Sequence, residues 1–218
     1  MAVCDGMGGE RSGSKASSMA SDVFFEHFEE GYEADMDAYS VRSLLLSSVS
    51  AANSVVYTTA RMDYQNFGMG TTCVAAFVSD TYIAVANVGD SRLYLLRDSL
   101  AQITRDHSLV EEMVARGKME RDSESYRSQK NIITRAMGIG NRVEADFFEV
   151  PLLECDCILL CSDGLTNMVD DAEISRVLKT TDTLKEKTEA LVDEANRNGG
   201  KDNIAIVLVE PQISEVKL

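Results

Sequence analysis

The chain has 218 residues, 44% of them hydrophobic, enough for one large domain with a sizeable core. Its 36 acidic residues outnumber 21 basic ones, a net charge of −15 that argues against a nucleic-acid-binding or membrane-surface protein. No apolar run approaches the ~20 residues of a bilayer span, no basic-then-apolar leader pattern suggests a signal peptide, and five cysteines do not suggest a disulfide framework, so a reducing cytoplasm is the expected setting.

Met1 to Asp5 reads as the tail of a strand, followed by the turn Gly6-Met7-Gly8-Gly9. Apolar residues then recur at Ala16, Met19, Ala20, Val23, Phe24 and Phe28, the spacing of one buried helical face. An acidic connection, Glu29 to Asp37, leads to a second helix over Tyr39 to Met62, with Val41, Leu45, Ser48, Val49, Ala52 and Val56 on one side. The texture then changes to short β-prone runs: Thr71 to Val78, Tyr82 to Val88, Leu93 to Arg97 and Leu100 to Thr104. Turns at Ser79-Asp80, Gly89-Asp90-Ser91 and Asp98-Ser99 separate them, which predicts an antiparallel meander. A short helix over Leu109 to Ala115 stops at Gly117, and the polar stretch Lys118 to Lys130 reads as a surface flap. Strands are expected again at Asn131 to Ala136, Ala145 to Val150 and Ile158 to Cys161. Helices follow near Ala172 to Lys179 and Thr183 to Arg197, then a closing strand, Ile204 to Val209. There is no repeat or linker, so the reading is a single domain of antiparallel sheets with helices packed outside.

Four aspartates share one local setting. Asp5, Asp90 and Asp163 each follow a β-prone run, and Asp202 immediately precedes one. Each is followed by a small or turn-forming residue: Gly6, Ser91, Gly164 and Asn203. Strand ends far apart in sequence can meet at one edge of a sheet structure. A carboxylate cluster there needs arginines or metal ions to offset its self-repulsion. Hard oxygen donors select Mg2+, Mn2+ or Ca2+. His27 and His107, the only histidines, show no ligand spacing, and Cys155, Cys157 and Cys161 have no partner pair for a zinc site.

Other chemistries fare worse. Gly8 to Lys15 resembles a phosphate-binding loop, but the lysine falls one residue late, after Ser14. Asp35-Met36-Asp37 lies in an acidic connection, where a solvated charge run explains it. No Cys-x5-Arg pattern occurs, which excludes a cysteine phosphatase.

In order along the chain, six further strings complete a pattern opened by Val3-Cys4-Asp5-Gly6-Met7-Gly8-Gly9. They are Gly68-Met69-Gly70-Thr71-Thr72, Asn87-Val88-Gly89-Asp90-Ser91-Arg92, Thr104-Arg105-Asp106-His107-Ser108, Ile133-Thr134-Arg135-Ala136-Met137-Gly138, Leu160-Cys161-Ser162-Asp163-Gly164-Leu165 and Lys201-Asp202-Asn203-Ile204. Together they resemble the bacterial branch of the type 2C (PPM) protein serine/threonine phosphatases over nearly the whole chain. The resemblance implies an α+β fold, a four-layer α-β-β-α sandwich with a central antiparallel β-sandwich. It implies hydrolysis of phosphoserine and phosphothreonine in proteins by metal-activated water, with two or three Mn2+ or Mg2+ ions. Carried over by position, Asp5 would bridge two ions and the Gly6 carbonyl would bind one of them. Asp163 and Asp202 would hold the other, and Asp90 with Asp163 a third. Implied partners are phosphoproteins and a Ser/Thr kinase whose action is countered, without nucleic acid or membrane. A non-catalytic phosphatase-like binding module is the alternative. Departures from the pattern are Met7, where eukaryotic members carry histidine, and Glu10, Arg11 and Ser14 after the glycines. The chain begins inside the strand before Asp5, so the family's opening strands, with their phosphate-gripping arginine, are expected to lie outside it. A chain lacking them is expected to be poorly active and self-associating, and a complete one an active monomer.

Overall fold

A computed structural model describes residues 1–62, 64–121 and 123–211. Two four-stranded antiparallel sheets lie face to face. The first has the order β1 (Ala2–Val3), β4 (Cys73–Val78), β5 (Tyr82–Val88), β8 (Asp146–Pro151). The second has the order β10 (Ile206–Val209), β9 (Cys157–Cys161), β6 (Arg92–Leu96), β7 (Leu100–Gln102). A small ribbon joins β2 (Gly6–Met7) to β3 (Gly70–Thr71). Outside the first sheet pack α1 (Glu10–Gly31) and α2 (Ala38–Met62). Outside the second pack α5 (Asp163–Thr166), α6 (Asp171–Leu178) and α7 (Leu184–Arg197).

The layers follow from period-2 alternation, because successive strand side chains point to opposite faces. In β5, Ile83 and Val85 enter the core between the sheets, while Ala84, Ala86 and Val88 face α1 and α2. In β9, Ile158 and Leu160 fill the inter-sheet core, while Cys157, Leu159 and Cys161 face α6 and α7. The alanines on the outer face of β5 leave room for the helices to sit close, and α1 and α2 supply the larger residues Phe24, Leu45 and Val49. Each large side chain so buried contributes roughly 1.5–3 kcal/mol. The helix starts are set by local chemistry. Ser108 caps α3 (Leu109–Ala115), Asp170 caps α6, and Thr183 with Glu186 forms a reciprocal capping box on α7.

Three expectations need correction. The run β4 to β7 is not one meander: β4 and β5 belong to the first sheet and β6 and β7 to the second, so the chain crosses between sheets at Gly89-Asp90-Ser91. Asn131 to Ala136 is not a strand. Its backbone bonds are scattered, Thr134 N–H to the His107 carbonyl and the Leu109 N–H to the Ile132 carbonyl, so no continuous ladder forms. The expected flap is not featureless. It holds α4 (Glu124–Gln129), capped by Ser123 and fastened to buried Glu111, which accepts from Arg121 Nη2 at 2.6 Å and Tyr126 Oη at 2.7 Å.

Candidate metal centre

All four predicted aspartates lie where strands end or sheets exchange chain. Asp5 sits between β1 and β2, Asp90 at the β5–β6 crossing, Asp163 at the start of α5 just after β9, and Asp202 ahead of β10. Threonines bind the first two turns together. The Asp5 N–H donates to Thr72 Oγ1 at 2.9 Å, Thr72 N–H donates to the Asp5 carbonyl at 2.8 Å, and the Thr72 and Ser91 hydroxyls meet at 2.7 Å. Thr71 Oγ1 also donates to the Asp5 carbonyl, at 2.9 Å. Close backbone approach fixes the other two. A Cβ on Gly164 would fall 2.1 Å from the Asn203 carbonyl oxygen, so only glycine lets the Asp163 turn reach the Asp202 segment. Gly89 is held on two counts, a φ of +104° and a would-be Cβ 2.6 Å from Thr72 Cγ2. The Gly6 carbonyl lies against Gly13 of α1, where a Cβ would sit 2.6 Å from its oxygen.

The carboxylates feel one another. Partial burial, then the neighbouring Asp163, Asp202 and Asp90 charges, push the Asp5 carboxyl up to about 7. Burial, then Asp163 and Asp106, push Asp90 up to about 7. Asp163 is raised by burial and by Asp202, while hydrogen bonds and Lys130 offset part of the rise. Asn167 Nδ2 donates to Asp163 Oδ2 at 2.8 Å and orients that carboxylate. Arg92 offsets part of the rise at Asp90, but its guanidinium is engaged by Asp106 through Nε and Nη2, at 2.7–3.1 Å. The cluster therefore carries excess negative charge, which a proton or a divalent cation relieves. Its donors are all carboxylate oxygens, the set that suits Mg2+ or Mn2+. Among the described residues no group of three or more His, Cys, Asp or Glu side chains is close enough to hold an ion as it stands. Asp5 and Asp163 are close enough for their carboxyls to share a hydrogen bond, which a proton on Asp5 supplies.

Beside the cluster opens a cavity of about 700 Å3 that touches Asp90 and Asp163 but not Asp5 or Asp202. One wall is cationic, with Arg121, Arg127 and Lys130 from the α3–α4 segment. The facing wall carries Asp170 and Asp171. Lys130 lies near enough to Asp163 for each to act on the other's charge, although burial and Arg92 lower its own pKa. The zinc alternative fails on position, since Cys157 and Cys161 are buried in the apolar core under α6 and α7. Sequence reasoning named the aspartates but gave no role to Thr72, Ser91 and Asn167. The first two stand inside the quoted strings, and Asn167 lies one helical turn after Asp163, which was its only signal.

The sequence matches the protein phosphatase 2C family over residues 1–208. It is 42% identical over 216 residues to the serine/threonine phosphatase stp of Listeria innocua, covering 98% of this chain and 84% of that one. Crystallised Stp1 from Staphylococcus aureus superposes with a TM-score of 0.89 at 36% identity, over 97% of this chain and 83% of that one. The catalytic domain of PstP, solved with two manganese ions, is similar at a TM-score of 0.83 and 32% identity, over 95% of this chain and 85% of that one. With a family match along almost its full length and relatives this similar, the chain belongs to the protein phosphatase 2C family.

Proposed function

We propose that the chain removes phosphate from phosphoserine and phosphothreonine side chains of proteins at a divalent-metal centre formed by Asp5, Asp90, Asp163 and Asp202. The observation that carries this reading is the carboxylate cluster, with the Asp5, Asp90 and Asp163 carboxyls raised, beside a cavity lined by Arg127 and Lys130. Asp5, Asp163 and Asp202, with the Gly6 carbonyl, would hold two Mn2+ or Mg2+ ions, and Asp90 with Asp163 a third. The bound cations supply Lewis-acid activation of water and neutralise charge on the phosphoryl oxygens. Thr72 keeps the Asp5 and Asp90 turns in register, and Asn167 holds the Asp163 carboxylate in one orientation. Lys130 and Arg127 line the cavity, where they would meet the acidic flanks of a peptide. Among the described residues no cysteine or histidine lines that cavity, and Ser108 accepts from the Glu111 N–H as a helix cap.

The proposed setting is cytoplasmic, opposite a Ser/Thr kinase. Five free cysteines suit a reducing compartment, and among the described residues no helix is long and apolar enough to cross a membrane. The alternative is a phosphatase-like module that only binds partners. Release of phosphate from phosphothreonine and phosphotyrosine peptides, with Mn2+ and with chelator, separates the two. Mn2+-dependent release from phosphothreonine is expected, and no release under either condition leaves the binding module.

A further inference from the structure

Buried beneath the Asp90 turn lies His107, to which the proposed chemistry gives no task. It is 6% exposed and bonds both backbone polar groups of Gly89. Its backbone N–H donates to the Gly89 carbonyl at 2.9 Å, and the Gly89 N–H donates to its Nδ1 at 3.0 Å. An Nδ1 that accepts carries no proton, so in the neutral ring the proton sits on Nε2. There it faces Asp146 Oδ2 at 3.1 Å. Arg135 Nη1 stands 3.0 Å from the same Nε2, but two donors cannot bond each other. Arg135 donates instead to Asp146 Oδ1 at 2.7 Å and to the Glu144 carbonyl at 2.9 Å. Asp146 in turn opens β8 opposite Asn87 of β5, whose Nδ2 donates to the Arg105 carbonyl at 3.1 Å. A continuous chain of contacts therefore runs Arg135, Asp146, His107, Gly89, Asp90. It acts on Gly89, which takes its φ of +104° without steric cost, so the bonds around the turn, not sterics, fix its direction.

We infer that His107 is a positioning residue of the centre: its Nδ1 is the acceptor that fixes the Gly89–Asp90 turn, and Asp146 with Arg135 selects the tautomer that leaves Nδ1 open. Through the turn, His107 aims the Asp90 carboxylate. The inference rests on the proposed reading of Asp90 as a cation ligand. The ring meets the turn at the Gly89 N–H, one residue from Asp90, and an Asp90→Asn background tells whether the effect reaches the cation through Asp90.

The test is calorimetric titration of Mn2+ into the chelator-stripped 218-residue protein, alongside thermal melts. Asp90→Asn should lose one class of Mn2+ binding. His107→Ala should weaken that same class by about 10–100-fold, the usual effect of losing a group that orients a metal ligand. His107→Asn puts an amide oxygen near the position of Nδ1 and should recover most of the affinity. His107→Gln reaches toward Asp146 but offers Gly89 nothing, and should not. In the Asp90→Asn background, His107→Ala should cost no further Mn2+ affinity, although the melt still falls. Should His107→Ala fail to fold, the Asn and Gln variants read the same distinction at equal folded fraction. The inference is overturned if His107→Ala binds Mn2+ like the unmodified protein, if Asn rescues no better than Gln, or if His107→Ala costs as much affinity without Asp90 as with it. An Asp90→Asn titration indistinguishable from the unmodified protein overturns the ligand assignment itself, and the inference with it.

Discussion

The two ends of β9 hold aspartates under opposite conditions. Before its first residue, Asp156 is wholly buried, yet Arg97 grips it through Nε and Nη2 at 2.8 Å each and the Leu153 N–H adds a third donor at 2.8 Å. Those hydrogen bonds hold its carboxyl below the usual range. Two residues beyond the other end, Asp163 is part-buried beside Asp202, and burial first and that charge second raise its carboxyl. Burial penalises the ionised form at both ends, so burial does not set the sign. The sign is set by whether the fold itself provides the compensating cation. At Asp156 it does, and the residue serves the sandwich. At Asp163 the fold gathers more acid instead, which costs stability unless a proton or metal arrives.

The comparison breaks most visibly by substitution. Asp163→Asn and Asp202→Asn should each lower the turnover number by more than about 100-fold and weaken Mn2+ binding. The loss should exceed the 10–100-fold typical of residues that merely support a ligand, with the fold retained. Asp156→Asn should do the reverse. Mn2+ affinity and activity per folded molecule should persist, while stability drops by about 1–3 kcal/mol because Arg97 loses its charged partner. Denaturant unfolding and calorimetry on the same samples check both. Unchanged Mn2+ affinity in both Asp163→Asn and Asp202→Asn would count decisively against the proposed ligands.

Acidity sharpens the same contrast. In the cation-free folded protein Asp5 and Asp90 keep their protons to about pH 7, and in the unfolded chain only to about 4. Folding therefore takes up protons between those values, so this contribution is full below about pH 4 and is lost as the pH rises through about 7. His107, lowered by burial, works in the opposite sense, so the component is read as a difference. With chelator present, the melting temperature should change between pH 5 and pH 7.5 less unfavourably in Asp90→Asn than in the unmodified protein. Added Mn2+ should stabilise more at pH 7.5 than at pH 5, since protons compete with it. A Mn2+ shift that is larger at pH 5 would contradict the account.

The smallest effects belong to the cavity wall. Reversing the charges of Arg121, Arg127 and Lys130 should raise KM several-fold for a phosphopeptide and leave a small aryl phosphate nearly unaffected, because only the peptide reaches the wall. Glu111→Gln, which weakens the hold on Arg121 and Tyr126, should give a milder version. Equal changes on both substrates would remove the wall from substrate recognition.

Much of this was legible in the sequence where one physical signal dominates. Alternation in β5 and β9 and the 3.6-residue period of α1 and α2 report burial directly, so those elements match the reading to within a few residues, apart from an earlier start and later end for α1. The strand expected at Asn131 to Ala136 failed because β-prone residues there lie across the ends of other elements, and composition does not say whether a neighbour exists to pair with. The sheet change at Gly89-Asp90-Ser91 was invisible for a related reason: a turn between two strands reads the same whether they pair or part. At the site, the aspartates were readable from their shared strand-end setting and the resemblance. The bonds from Thr72 to Ser91 and from His107 to Gly89 were not, since each joins residues about 20 apart and depends on which layer each strand enters.

The central claim is that the fold gives this carboxylate cluster too little countercharge of its own because divalent cations provide the rest. The most direct measurement is the anomalous difference density of a crystal grown with Mn2+. The account predicts peaks bounded by Asp5, Asp163 and Asp202, with another between Asp90 and Asp163, each with carboxylate oxygens at about 2.0–2.6 Å. Peaks found only elsewhere, or carboxylates of Asp163 and Asp202 lying more than about 8 Å from that of Asp5 with Mn2+ present, too far for one ion to join them at such bond lengths, would contradict it.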